Sequence, residues 1–271
     1  MFRGEGRPAV HGYDSWVAIG DSFTEGMGDM APDGSCVGWA DRLAELMAVQ
    51  RPGFQYANLA VRGKMLAEII AEQVPLAEEA APDLVSLCGG GNDIITPGTD
   101  PDDVAADFDA AVARLRAAGS EVVLFTGPDP KVQPLLRRVR GKVGIYNGHL
   151  HAIAERNGAR LVDLWSMDAL HDKRAWCEDR LHFSSDGHRR IALRTAEVLG
   201  VPVVDDWREP LPPEDPKPWL RLRQDDLTWT TTHLLPWVAR QLRGESLGDG
   251  LTPKRPQLTP YAVDRTHHHV F

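Results

Sequence analysis

Five short apolar runs recur along the first two thirds of the chain, at residues 15–20, 54–59, 83–88, 121–126 and 160–165. Between most of them lie stretches whose apolar residues return at helical spacing, at 37–50, 65–80, 101–118, 142–157 and 185–199. Alternation of strand-like and helix-like segments indicates βαβ units around a parallel sheet, because a helix is the usual return path between parallel strands. Pro101-Asp102-Asp103 and Ser184-Ser185-Asp186 have the composition of helix starts, and Gly119, Gly158 and Gly200 stand where helices stop. The pattern predicts a three-layer α/β/α domain over residues 1–205.

Each apolar run hands over to polar residues at its carboxyl end, where open α/β sheets hold their ligands. Gly20-Asp21-Ser22-Phe23-Thr24-Glu25-Gly26 follows Trp16-Val17-Ala18-Ile19, which presents a serine hydroxyl at that edge. Gly-Asp-Ser alone is an ordinary turn, so the motifs that follow decide its meaning. Asn58-Leu59-Ala60-Val61-Arg62-Gly63 closes the second run, Gly89-Gly90-Gly91-Asn92-Asp93 closes the third, and Asp179-Arg180-Leu181-His182 comes late. These supply the parts of an acyl transfer. Ser22 is the candidate nucleophile and His182 the candidate base, since imidazole exchanges protons near neutral pH. Asp179, three residues before His182, can reach the other ring nitrogen and set its tautomer. His188 is the rival base, but it falls inside the first turns of the following helix, which favours a packing role.

The motifs and their order resemble the SGNH hydrolases, also called GDSL esterases and lipases, over roughly residues 14–200, with Phe23 where the name-giving motif has leucine. The resemblance implies a five-stranded parallel sheet of flavodoxin type. It implies the same triad, Ser22, Asp179 and His182. It also implies an oxyanion hole made by the Ser22 N–H, the Gly63 N–H and the Asn92 side-chain amide. The residue types suit these roles, since glycine lets backbone approach substrate without a Cβ and an amide is a neutral donor. On this reading the chain is a metal-free, cofactor-free serine esterase working through an acyl-enzyme on a small-molecule ester. Asp21 and Asp93 read as turn and loop organisers.

Beyond residue 205 the composition changes, with ten of the 20 prolines and four of the eight tryptophans in positions 201–271. The sequence predicts a C-terminal extension over 206–271. It consists of an extended linker through Pro210, Pro212, Pro213, Pro216 and Pro218, one helix over 225–243 kinked at Pro236, and a polar, poorly ordered tail from Gly248. Trp219, Trp229 and Trp237 concentrate apolar area there. They predict that the extension packs on the back of the core or across a dimer face, with packing beside the catalytic mouth, where it would shape the acyl or alcohol pocket, as the other expectation. The His267-His268-His269 run reads as an incidental tail.

Net charge and cysteine usage narrow the partners. A formal charge of −9 over 271 residues argues against nucleic acid. No apolar stretch is long enough to span a bilayer, and the first 15 residues lack the continuous apolar segment of a signal peptide. Cys36, Cys88 and Cys177 are odd in number and scattered, without metal-ligand spacing, which points to buried thiols in a reducing cytoplasm. The basic stretch Leu135-Leu136-Arg137-Arg138-Val139-Arg140-Gly141-Lys142 reads as a solvated loop, with an anion site as the alternative. Two rival functions stand beside the esterase. One is a metal-dependent phosphoesterase using Asp21, Asn92, Asp93, His182 and His188; the other is a non-catalytic binding module on the same fold.

Overall fold

In the computed structural model, residues 12–133, 136–213, 248 and 250–263 are described. The strands are β1 (Ser15–Gly20), β2 (Gln55–Asn58), β3 (Leu84–Cys88), β4 (Glu121–Phe125), β5 (Arg160–Val162) and β6 (Arg255–Pro260). They form a single sheet in the order β5-β4-β3-β1-β2-β6. The first five are mutually parallel, in the flavodoxin-type order expected. The helices are α1 (Ser22–Glu25), α2 (Gly38–Gln50), α3 (Leu66–Glu72), α4 (Val74–Ala80), α5 (Gly91–Ile95), α6 (Pro101–Ala117), α7 (Arg140–Asn157) and α8 (Ser185–Leu199).

β1 is central and buried on both faces, and its side chains alternate between two cores. Trp16 and Ala18 join the core under α2 and α8, whereas Val17 and Ile19 join the core under α3, α4, α6 and α7. A parallel strand covered on both faces needs such a continuous apolar run. The register sets Gly20 opposite Cys88, so β1 and β3 end level and deliver their following loops side by side. The predicted helix starts hold: the Asp100 carboxylate accepts from the Asp102 N–H and the Ser184 hydroxyl from the Gly187 N–H. Gly158 and Gly200 close α7 and α8 in left-handed conformation, φ 59° and 73°.

Two expectations are corrected. The helix over 65–80 is broken at Gln73, because Pro75 has no N–H to give the previous turn and crowds its carbonyl. The freed Gln73 side chain is buried against β1, accepting from the Gly20 N–H (2.8 Å) and donating to the Gly20 carbonyl (2.9 Å). The tail from Gly248 is not loose at residues 255–260, where β6 pairs antiparallel with β2. Pro256 and Pro260 are tolerated because β6 is an edge strand, and β6 covers what would be the exposed rim of β2. Lys254 fastens it, donating to the carbonyl of Val37 (2.7 Å) and to the Asp41 carboxylate (2.9 Å). Residues 255–260 therefore add a sixth strand to the central sheet. The helix over 225–243, the three tryptophans and the histidine run lie outside the described residues.

Candidate active site

The loop after β1 is set by close packing. A Cβ on Gly20 would sit 2.5 Å from the Cys88 carbonyl oxygen, and that backbone contact cannot yield. Asp21 caps the single turn of α1, its carboxylate accepting from the Phe23 N–H at 3.0 Å. Ser22 is thereby the first helical residue. Phe23 turns inward and stacks on Trp39 at 5.6 Å, with Phe125 and Phe183 edge-on at 5.8 Å. The departure from leucine at this position is thus an aromatic plug beneath the site, and such ring pairs contribute roughly 0.5–1.5 kcal/mol each beyond area burial.

The late loop is a tight hairpin closed by the Cys177 N–H donating to the His182 carbonyl at 2.8 Å. Asp179 organises it: one carboxylate oxygen accepts from the Leu181 and His182 N–H groups, both at 3.0 Å. The other lies 2.6 Å from His182 Nδ1, and His182 Nε2 lies 3.0 Å from Ser22 Oγ. Burial alone would raise the Asp179 carboxyl; the hydrogen bond and charge of His182 and the two backbone donors outweigh it and hold the group at about 2. Gly28 brings the loop after α1 onto this hairpin, since a Cβ there would meet the Phe183 carbonyl at 2.2 Å.

Gly63 and Asn92 arrive from the neighbouring strand ends. Gly63 has φ 79°, a conformation suited to glycine. Its loop is tied to α1 twice. Glu25 accepts from the Arg62 N–H at 2.7 Å and from the Arg62 guanidinium, and Asn58 donates to the Thr24 carbonyl at 2.9 Å. The Asn92 amide nitrogen donates to the Lys64 carbonyl at 2.9 Å and stands 3.5 Å from Asp21. Asp93 accepts from the Leu66 N–H at 2.9 Å, an organising role as expected. Burial pushes the Asp21 carboxyl up to about 6, although the Phe23 N–H and His182 oppose the shift. Ser22, Gly63, Asn92 and His182 all line one cavity of about 560 Å³.

These four loops fall within one recognised family pattern: the model of the GDSL-like lipases and acylhydrolases matches residues 18–190. The chain belongs to that family. Membership makes it an ester-hydrolysing enzyme. The fold of this GDSL-like hydrolase is shared with an acetylxylan esterase from Geobacillus stearothermophilus, at 19% identity and TM-score 0.58 over 75% of this chain and 99% of that one. It is shared also with a psychrotrophic esterase from Pseudoalteromonas sp., at 18% identity and TM-score 0.56 over 69% of this chain and 96% of that one. No curated protein sequence matches the chain.

The donor set of the metal-enzyme rival does not converge. His188 is fully buried, accepting from the Trp39 N–H at 3.1 Å and donating to the Met27 carbonyl at 3.0 Å, and burial lowers it to about 4. Among the described residues no group of three or more His, Cys, Asp or Glu is placed to hold a metal ion. Sequence reasoning missed Gln73, Glu25 and Arg62, whose partners lie 26 to 53 positions away or across the sheet. Only the charge of Glu25 inside the glycine-bracketed loop offered a signal in the sequence.

Proposed function

We propose that this GDSL-like hydrolase is a serine esterase with Ser22, His182 and Asp179 as its triad. Ser22 Oγ attacks the acyl carbon while His182 Nε2 takes its proton, and the carbonyl oxygen becomes an oxyanion. The Ser22 and Gly63 N–H groups and the Asn92 amide then stabilise that charge. Collapse expels the alcohol, which receives the proton from His182 and leaves an acyl-Ser22 ester. Water, deprotonated by His182, repeats the sequence and frees the acid. Asp179 stays ionised, fixes Nδ1 as the protonated nitrogen and balances the imidazolium. The observation that carries this reading is the unbroken line Asp179 Oδ2–His182–Ser22 Oγ, 2.6 Å and 3.0 Å, opening into the cavity beside Gly63 and Asn92.

Three free thiols support a reducing compartment, the cytoplasm: burial raises the Cys36 and Cys88 thiols and takes Cys177 up to about 11. No described helix is long and apolar enough to cross a membrane.

The test is hydrolysis of p-nitrophenyl butanoate by wild type and Asn92→Ala, each with and without a chelator. Wild-type turnover is expected to persist in chelator. Asn92→Ala is expected to lower kcat by roughly 10²–10³, the effect of deleting one oxyanion donor, in a protein that stays folded with a melting temperature only a few degrees lower, because the Lys64 carbonyl loses its donor. Loss of wild-type activity in chelator would favour the metal enzyme, and a folded Asn92→Ala variant with normal kcat would remove Asn92 from the hole.

A further inference from the structure

Apolar residues line the cavity throughout, Phe23, Met27 and Met65 near β1 and β2 included, but its charged lining is confined to one side. Its charged lining residues, Asp21, Arg62 and Glu68, lie on the side of β1 and β2. There two of the charges are ion-paired, Arg62 with Glu25 and Glu68 with Lys64 at 3.1 Å, and Asp21 accepts from the Phe23 N–H. The half that lies over the ends of β3, β4 and β5 is walled by Ile94, Phe125, Leu136, Val139, Val143 and Leu164. Its few hydroxyls are committed within the protein. Thr96 donates to the Asn92 carbonyl (2.8 Å), Tyr146 to the Gly89 carbonyl (3.1 Å), and Thr126 bonds Asp163 (2.8 Å) while accepting from the Leu164 N–H. This half therefore solvates apolar atoms and offers little to a sugar or a carboxylate.

Residues 136–142 of the basic stretch point in the same sense. Arg140 clamps the Asp129 carboxylate (2.6 Å) and lies 5.1 Å over the Trp165 ring, and Lys142 donates to the Thr99 carbonyl at 2.6 Å. Arg137 and Arg138 are exposed. Leu136 and Val139 of this stretch and Val143 just after it, at spacings of three and four residues, line the cavity from one side. The charges are turned away from the site, so the anion reading of this stretch loses its support.

We propose that the half of the cavity over β3–β5 is an acyl pocket for an apolar, unbranched chain of medium length, and that Leu136, Val139 and Val143 set its chain-length ceiling. The leaving alcohol faces the charged side by Arg62 and Glu68. This inference rests on the serine-esterase reading and names its substrate class. Size fits: at about 30 Å³ per methylene, the share of one water in the liquid, an eight-carbon chain takes roughly 240 Å³. That is under half of the 560 Å³ cavity and leaves room for the ester and alcohol.

The test is kcat/KM for p-nitrophenyl esters from acetate to palmitate, with acetylated xylose as a polar-alcohol acetate control, on wild type, Val143→Trp and Leu136→Trp. Wild-type kcat/KM is expected to rise about two- to fourfold per methylene, peak between hexanoate and decanoate, and fall beyond. The upper slope corresponds to about 0.8 kcal/mol per buried methylene. Either tryptophan is expected to lower the octanoate-to-butanoate ratio at least tenfold and move the peak to a shorter chain. An optimum at acetate, a flat profile, or peaks unmoved in folded tryptophan variants overturn the acyl pocket while the esterase stands. Absence of hydrolysis of every ester, together with no labelling of Ser22 by an organophosphate, overturns the esterase reading and the pocket with it. The wild-type series decides the matter even if a variant fails to fold.

Discussion

Replacing Ser22 by alanine is expected to lower kcat by roughly six orders of magnitude, the loss seen when the nucleophile of a preorganised triad is removed. The substitution deletes one oxygen whose bond in the site is the 3.0 Å contact with His182 Nε2. The backbone N–H of residue 22 stays, as do the Asp21 cap and the Gln73 bonds that fix Gly20. Folding is therefore expected to be unaffected, with a melting temperature within a few degrees of wild type, as for substitutions away from packed or buried-polar features. The residual rate should come from the oxyanion donors and substrate binding alone. Stopped and steady-state assays on the purified variant check this, and kcat above about one per cent of wild type would mean that another group attacks the ester.

Asp179→Asn is expected to lower kcat by about four orders of magnitude while the hairpin keeps its shape. An amide nitrogen facing His182 Nδ1 favours the wrong tautomer, with the proton on Nε2, and that nitrogen can no longer accept from Ser22. The isosteric side chain keeps an oxygen for the Leu181 and His182 N–H groups, so a structural loss and a tautomeric loss separate. The pH dependence of stability gives an independent check. Asp179 is depressed from its ordinary 3.8 to about 2, so its contribution is fully present above about pH 4 and is lost as pH falls through 2. Wild type should lose this part of its stability across that acid window and Asp179→Asn should not, measured by denaturant melts from pH 5 to pH 2. Equal kcat in the two proteins would detach Asp179 from the reaction.

What the sequence made legible is what local pattern encodes. The five parallel strands follow from short apolar runs, and Ser22, Gly63, Asn92, Asp179 and His182 stand in motifs at loop positions that the sheet then gathers onto one edge. His188 is packed, as its place inside α8 implied. The remainder depended on contacts between distant segments. β6 was hidden because Arg255–Pro260 carries two prolines and its burial pattern lacks the alternation of a strand with one covered face. The break at Gln73 was hidden because its cause is split between Pro75 and a hydrogen-bonding site on β1, 53 residues away. In the stretch at 136–142 four basic residues dominated the reading, and its solvated character holds for the exposed Arg137 and Arg138, but charge gave no sign that Leu136 and Val139, with Val143 just beyond, face the cavity.

The central claim is that Ser22 is the nucleophile, and covalent capture tests it most directly. The protein is treated with diethyl p-nitrophenyl phosphate: Ser22 Oγ bonds to phosphorus, the phosphorus–aryl oxygen bond breaks, and p-nitrophenol leaves. The account predicts one equivalent of p-nitrophenol released in step with loss of esterase activity, one diethylphosphoryl adduct on the peptide carrying Ser22, and no adduct on Ser22→Ala. An adduct on another residue, or complete inactivation with Ser22 unmodified, would contradict it.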